Sequence, residues 1–227
     1  MIIIPVINCA DFDGVRTRLA LAQEFLCDHG SEEHQVSCGE CWVHIDVADG
    51  GFTADYTTWR NPDELRALRR DEHLKIEIHL MVREPELVLD QWLESGINRL
   101  IVHLETVVAL DTIISRCADR GVECFVALAP ETSVEKLVPY AGLIAGCQVL
   151  AVTPGPAGQA AGPGILEKIR SIRGAYPSLP IEVDGGVTVA TAPEFLAAGA
   201  TQLAAGTAIF KSEDPGAAYR ALVAAAR

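Results

Sequence analysis

Four residues of the kinds that bind divalent metal ions lie in three separate segments of the chain. His44 and Asp46 belong to the string VHIDVADGG, His79 to IEIHLMV, and Asp184 to IEVDGGV. Each stands at the downstream end of a short apolar, β-branched run, which is typical of a buried strand. In a parallel α/β protein these strand ends converge on one face, so the side chains can surround one ion. Two imidazoles and two carboxylates suit zinc, iron, manganese or cobalt better than magnesium or calcium.

Two carboxylates beside a divalent cation favour proton transfer next to a carbonyl group. The cation, acting as a Lewis acid, stabilises the enediolate that forms when the adjacent carbon loses its proton. Asp46 and Asp184 belong to different strands, so one can remove a proton while the other returns a proton to the opposite face. The pattern therefore predicts inversion of a carbon centre.

Eight short hydrophobic runs alternate along the chain with segments of helical spacing. The runs are IIIPVIN, WVHIDVA, KIEIHLMV, RLIVHLE, ECFVALA, CQVLAVT, PIEVDGG and TQLAAGT. Nearly continuous Val, Ile and Leu indicates burial on both faces, as in a parallel sheet covered by helices. We predict the α/β class and a single (β/α)8 TIM-type barrel that occupies residues 1–227. The main alternative, an open doubly wound sheet, would carry a glycine-rich fingerprint after its first strand. This chain reads NCADFDG there, which argues against that alternative.

The polar stretch at residues 28–41, DHGSEEHQVSCGEC, does not follow this alternation. It is longer than a usual connection and precedes the second strand, at the barrel face opposite the candidate ligands. We expect it to affect oligomerisation or stability rather than catalysis. Its Cys38 and Cys41 form a lone C-x-x-C pair, a weak signal for zinc, and we expect free thiols there.

The composition argues against several classes of partner. A net charge of -13 disfavours binding to nucleic acid or to an anionic membrane. The odd number of cysteines, seven, indicates reduced thiols and hence a cytoplasmic location. The opening MIIIPVINCADF lacks the basic region of a signal peptide, and no segment approaches the roughly 18 apolar residues of a membrane span.

Six strings, in order over nearly the whole chain, resemble the ribulose-phosphate 3-epimerase family: HIDVADGGF, IEIHLMV, HLE, VTPGPAGQ, IEVDGGV and AGTAIFKSEDP. The resemblance implies one catalytic divalent metal and the reversible conversion of D-ribulose 5-phosphate to D-xylulose 5-phosphate in the pentose phosphate pathway. It implies that His44, Asp46, His79 and Asp184 hold the metal, with Asp46 and Asp184 as the acid-base pair. It also implies a phosphorylated ketose as substrate and a homo-oligomeric assembly.

The same resemblance implies that glycine-rich turns bind the substrate phosphate. The corresponding positions are Gly155, Gly158, Gly185, Gly186, Gly206 and Thr207. Backbone N–H groups in such turns attract an anion, which explains how an acidic protein can hold a sugar phosphate.

The chain departs from the family's pattern near the expected substrate. The family's PSIL reads PVIN, so Val6 replaces a serine and Asn8 becomes a candidate polar contact. Ala48 and Leu150 replace two methionines, and Met81 alone remains to cover the reacting carbons. Bulky thioethers exclude water from such a site. Replacing a methionine by alanine leaves space that a larger substrate can fill.

These departures leave alternative functions open. One is epimerisation of a hexulose 6-phosphate such as allulose 6-phosphate, and another is a non-catalytic barrel that binds sugar phosphates. A decarboxylase or aldol-type synthase of the phosphate-binding barrels would need Asp-x-Lys-x-x-Asp at the third strand. The third strand of this chain ends in His79-Leu80-Met81, and its Lys75 lies at the beginning of the strand. The required lysine is therefore missing from the face that carries the candidate ligands. His103, at the end of the fourth run, is predicted to support a ligand or the core.

Overall fold

The protein is a closed barrel of eight parallel strands that pair in chain order, and the first strand pairs with the eighth. This confirms the predicted (β/α)8 fold. The computed structural model describes residues 1–26 and 41–227. The polar stretch at 28–41 therefore lies outside the described residues except for Cys41, and its predicted effect stays a prediction. Within the described residues, no helix has the length and apolarity to cross a membrane.

The barrel strands are short, and helices alternate with them. The strands are β1 (Ile2–Ile7), β2 (Cys41–Ala48), β3 (Leu74–Met81), β4 (Arg99–His103), β5 (Glu123–Leu128), β6 (Gly146–Leu150), β7 (Ile181–Asp184) and β8 (Gln202–Ala205). The helices in the described residues are α1 (Phe12–Leu26), α2 (Pro62–Ala67), α3 (Leu89–Leu93), α4 (Leu110–Asp119), α5 (Ile165–Ala175), α6 (Ala192–Ala198), α7 (Thr207–Phe210) and α8 (Pro215–Ala225).

Strand alternation separates the apolar core from the chemistry. On β2, Val43, Ile45 and Val47 belong to the hydrophobic core that also contains the buried helix residues. The intervening residues, His44 and Asp46, therefore point into the barrel, since successive strand side chains alternate between faces. Burial on both faces explains why the strand sequences read as nearly continuous apolar runs.

Two segments with helical spacing form less helix than the pattern predicts. Residues Val134–Leu137 form a single turn of 3-10 helix, because Pro139 lacks the N–H group that would continue the helical hydrogen bonds. A second 3-10 turn, Pro85–Leu87, precedes the short α3 and follows Glu84, whose φ is +59°. Side-chain spacing alone does not reveal these breaks.

Inside the lower barrel, the ring of Phe125 lies against Gly146 on the adjacent strand. A Cβ added at Gly146 would lie 2.3 Å from Phe125 Cζ. We predict that Gly146→Ala lowers the free energy of unfolding by about 1–3 kcal/mol, because the packed ring must shift. Urea denaturation measures the change. Gly174→Ala is the control: its Cβ would meet nothing within 4 Å, so it should be neutral or slightly stabilising in α5. Equal stability of the two variants would contradict the packing argument.

Candidate active site at the carboxyl ends of the strands

Four residues predicted as metal ligands meet at the carboxyl ends of the strands. One candidate ligand atom from each of His44, Asp46, His79 and Asp184 lies within 4.8 Å of the others, and all four residues are buried. His44 and Asp46 share one face of β2, and Asp46 is the register partner of His79 on β3. Asp184 is the last residue of β7. Barrel closure brings these residues together.

Asp46 is the most densely bonded member of this cluster. Its Oδ1 lies 3.2 Å from His44 Nε2 and 3.1 Å from His79 Nδ1, and its Oδ2 accepts a hydrogen bond from Asn8 Nδ2 at 2.8 Å. Asn8 in turn accepts a hydrogen bond from the hydroxyl of Tyr56. Asn8 thus holds the Asp46 carboxylate from the β1 side.

Asp184 has fewer partners, and its Oδ2 lies 3.6 Å from His79 Nδ1. Burial raises the pKa of Asp184 to about 7, and the nearby charges of Asp46 and Glu77 add to that rise. Burial acts in the same direction on Asp46, but hydrogen bonds and charge from His44 and His79 outweigh it and lower the pKa. The two carboxyl groups therefore have opposite tendencies to hold a proton.

The two histidines present one nitrogen to the cluster and bond the other behind it. His44 Nδ1 lies 2.7 Å from Glu77 Oε1, and His79 Nε2 lies 2.9 Å from His103 Nε2. His103 Nδ1 continues to Glu105 Oε2 at 3.1 Å. Such support behind the ligand is common in metal sites because it fixes ring orientation. The donor set of two imidazoles and two carboxylates, buried and in mutual reach, fits a first-row divalent ion.

A second group of candidate ligands, formed by His44, Glu77 and Glu182, lies deeper in the barrel. Arg99 Nη1 contacts Glu77 Oε2 and lies 3.5 Å from Glu182 Oε2. The permanently charged guanidinium balances Glu77, and burial beside Glu77 raises the pKa of Glu182 to about 8, which favours its neutral form. We therefore assign no cation to the deeper group.

A cavity of about 210 Å³ opens directly above the cluster. Asp46 and Asp184 form part of its lining, and so do all the residues predicted to contact substrate or phosphate: Asn8, Met81, Gly155, Gly158, Gly185, Gly186, Gly206 and Thr207. At Gly186, where φ is +67°, a Cβ would lie 2.5 Å from the backbone nitrogen of Ala161. The loops after β6 and β7 therefore approach too closely for any side chain there.

The departures from the family pattern occupy different environments. Val6 and Leu150 line the cavity. Ala48 is fully buried, its backbone is bonded to Thr58 on both sides, and it is not among the lining residues of this cavity. Ala48 shares the inward face of β2 with His44 and Asp46, so the expectation that it opens space for a larger substrate stays a prediction.

Four residues around the cluster escaped the sequence-based prediction: Tyr56, Glu77, Arg99 and Glu182. Glu77 and Glu182 each lie two residues before a predicted ligand in an otherwise apolar strand. A period of two places them on the same inward face, so this signal was present in the sequence. Tyr56 gave no comparable signal, because it lies in the loop after β2 and reaches the site only through the fold.

Solved structures with a similar fold include 3-hexulose-6-phosphate synthase, with a TM-score of 0.66 and 19% identity, covering 100% of both chains. Orotidine 5'-phosphate decarboxylase from Pyrococcus horikoshii OT3 has a TM-score of 0.66 at 15% identity, covering 100% of this chain and 99% of the other. At such low identity these similarities establish the fold alone.

Fold and site together define a (β/α)8-barrel enzyme whose site lies at the carboxyl ends of the strands. The model of the Ribulose-phosphate 3 epimerase family matches residues 20–210, and the chain belongs to this family of isomerases. The ribulose-phosphate 3-epimerase of Schizosaccharomyces pombe is 36% identical over 180 residues, covering 78% of each chain. The ribulose-phosphate 3-epimerase of Oryza sativa subsp. japonica, cytoplasmic isoform, is 31% identical over 208 residues, and the match covers 89% of this chain and 90% of that one.

We predict that the metal-free protein binds Zn²⁺ more weakly as the pH falls below about 7. Burial raises the pKa of Asp184 to about 7, and hydrogen bonds to Asp46 and Glu77 outweigh burial and raise the pKa of His44, so below pH 7 a cation must displace protons from both groups. Each displaced proton makes the apparent Kd rise about tenfold per pH unit. Calorimetric titration at pH 5.5, 6.5 and 7.5, in two buffers of different ionisation enthalpy, measures affinity and proton release. An affinity that does not change between pH 5.5 and 6.5 would contradict the prediction.

Proposed function

We propose that the protein is a metal-dependent epimerase that inverts carbon 3 of D-ribulose 5-phosphate to give D-xylulose 5-phosphate. The observation that carries the proposal is the pair Asp46 and Asp184, which come from separate strands to the floor of one cavity with opposite tendencies to hold a proton. Family membership supports the reaction class. The assignment of individual roles rests on the geometry of these carboxyl groups.

The residues proposed to hold the metal are His44, Asp46, His79 and Asp184, whose donor types suit zinc, iron, manganese or cobalt. When bound there, the ion supplies positive charge beside the carbonyl and hydroxyl oxygens of a ketose. The imidazoles of His44 and His79 are fully buried, so they limit the water around the carboxylates. A dry site strengthens each electrostatic interaction with the substrate.

The proposed proton transfer uses the two carboxyl groups in turn. The ionised Asp46 takes the proton from carbon 3, and the electron pair of the C–H bond moves onto the carbonyl oxygen to give an enediolate. The protonated Asp184 then delivers its proton to the other face of carbon 3, and the carbonyl reforms. The reverse reaction exchanges the two roles. One proton leaves and one enters, so the product is an isomer, and exchange with solvent resets the pair.

The phosphate end of the substrate is proposed to lie against the glycine-rich turns after β6, β7 and β8. Gly158, Gly186 and Gly206 line the same cavity as the carboxyl pair. A Cβ at Gly158 would lie 3.5 Å from Thr207 Oγ1, so the turns after β6 and β8 are adjacent at this point. Backbone N–H groups there can bind a phosphate, and Lys211 Nζ lies 3.9 Å from the Cβ position at Gly158.

Two alternatives are favoured by specific residues. Val6 and Leu150 line the cavity where the family carries serine and methionine, which favours a hexulose 6-phosphate such as allulose 6-phosphate as a second candidate substrate. The same substitutions leave a non-catalytic sugar-phosphate-binding barrel as a third reading. NMR of deuterium incorporation at carbon 3 in heavy water, with each sugar phosphate and metal-loaded protein, separates them. Exchange with epimer formation supports an epimerase, whereas tight binding without exchange supports the non-catalytic reading.

We predict that Asp184→Asn retains the fold and loses epimerisation by about 10²–10⁴-fold in at least one direction, since general acid-base catalysis contributes this much. Hydrogen exchange at carbon 3 should persist from the epimer whose proton Asp46 removes. Deuterium NMR starting from each epimer measures both quantities, and the metal content of each sample is determined in parallel. Asp55→Asn, an exposed site with φ of +68°, is the matched control. Near-normal turnover of Asp184→Asn in both directions would remove Asp184 from the mechanism.

We predict that Val6→Ser lowers the KM for D-ribulose 5-phosphate about fivefold with little change in kcat. A hydroxyl group at this cavity position restores a polar contact, and a net hydrogen bond contributes about 1 kcal/mol. Such a contact is made equally in the ground state and the transition state, so it acts on KM. Steady-state kinetics measure the change, and Val6→Ala removes the same methyl groups without adding a hydroxyl. An equal KM for the two variants would show that the hydroxyl makes no contact.

A further inference from the structure

A charged layer fills the barrel directly beneath the cluster. It consists of Glu77, Arg99, Gln148, Glu182 and Gln202, all of them buried. Barrel interiors at this depth are usually filled by branched apolar side chains. A charge buried there is costly unless it is paired and hydrogen-bonded. The layer therefore requires a reason beyond packing.

Arg99 is the centre of this layer. Its guanidinium carbon lies 4.0 Å from the centroid of the Trp42 ring and 3.9 Å from that of Phe125. Within this aromatic sandwich, Arg99 Nη1 donates to Gln202 Oε1 at 2.8 Å and contacts Glu77 Oε2. A planar guanidinium suits such a place because it stacks on both rings while donating in its own plane.

Glu77 connects this layer to the cluster above it. Its Oε2 contacts Arg99, while its Oε1 lies 2.7 Å from His44 Nδ1. An ionised carboxylate only accepts hydrogen bonds, so His44 Nδ1 must carry the proton of this contact. The other nitrogen, His44 Nε2, then faces Asp46 Oδ1 at 3.2 Å, within the proposed metal cluster.

We propose that Arg99 and Glu77 are positioning residues that hold His44 with its proton on Nδ1 and its Nε2 directed at the cluster. Arg99 fixes one oxygen of Glu77, and this fixes the other oxygen against His44. Glu182 supports the arrangement from β7: its Oε2 faces Arg99 Nη1 at 3.5 Å, and Gln148 Nε2 donates to its Oε1 at 2.9 Å. The chain of contacts from Arg99 through Glu77 to His44 is called the relay below. The inference rests on the proposed function, because the relay ends at the proposed metal site.

The test uses the full-length, metal-free protein labelled with ¹⁵N in its histidines. Long-range ¹H–¹⁵N correlation spectra show which ring nitrogen of His44 carries a proton. The wild-type protein should show a proton on Nδ1, and a bare Nδ1 would overturn the proposal without any variant. This readout requires neither metal nor substrate. It therefore fails or succeeds independently of the exchange experiment that tests the epimerase function.

Glu77→Gln then tests the relay itself. The amide of glutamine can donate as well as accept, so we expect Nδ1 of His44 to lose its proton in part of the population. The Kd for Co²⁺, followed by its visible absorption, should rise about 10–100-fold, as found when the partner of a metal-bound histidine is removed. Native-like far-UV circular dichroism is required of each variant.

Glu123→Gln is the matched control. Glu123 Oε2 also accepts from Arg99 Nε at 2.8 Å, but its side chain is 45% exposed and accepts from no nitrogen of His44. We expect the control to keep the proton on Nδ1 of His44 and to keep the Co²⁺ affinity within about twofold. Equal effects of Glu77→Gln and Glu123→Gln, or no effect of either, would reduce the layer to a structural role and overturn the proposal.

Discussion

The structure depends on one electrostatic constraint: charged groups inside a closed barrel must neutralise one another without bulk water. The interior holds Asp46, Glu77, Glu182 and Asp184 together with histidines and one guanidinium. Each carboxyl group that stays ionised has a positive or donating partner, as Asp46 has in His44 and His79. The free-energy cost of desolvating an unpaired ion is about several kcal/mol, so the pattern of partners decides which groups keep a charge.

This constraint gives the two carboxyl groups of the site different character. Asp46 is bonded to His44, His79 and Asn8, and these contacts favour its ionised form. Burial at the end of β7 raises the pKa of Asp184 to about 7, and the charge of Asp46 adds to this rise. Two chemically identical side chains thus acquire opposite proton affinities from their surroundings, which the proposed inversion of a carbon centre requires.

The inner layers of the barrel are linked, so the site has support well below its cavity. Arg99 lies between two aromatic rings and contacts Glu77, which contacts His44, and His103 supports His79 in a parallel way. Catalytic groups need positions accurate to a fraction of an ångström, and such accuracy comes from neighbours with fixed rotamers. The outer apolar core keeps the strands rigid, and the charged layer inside the barrel fixes the orientation of the His44 ring.

The sequence by itself determined the strand-and-helix alternation, the eight-stranded barrel and the identity of the clustered residues, because both strand burial and ligand types are local properties of the chain. It did not determine the path from Tyr56 through Asn8 to Asp46 or the contacts of Arg99 with Glu77 and Gln202. Those features depend on which side chains meet across strands and loops distant in sequence. Only the tertiary structure decided the separate proton affinities of Asp46 and Asp184, since a pKa in a buried site is set by distances to all of its neighbours.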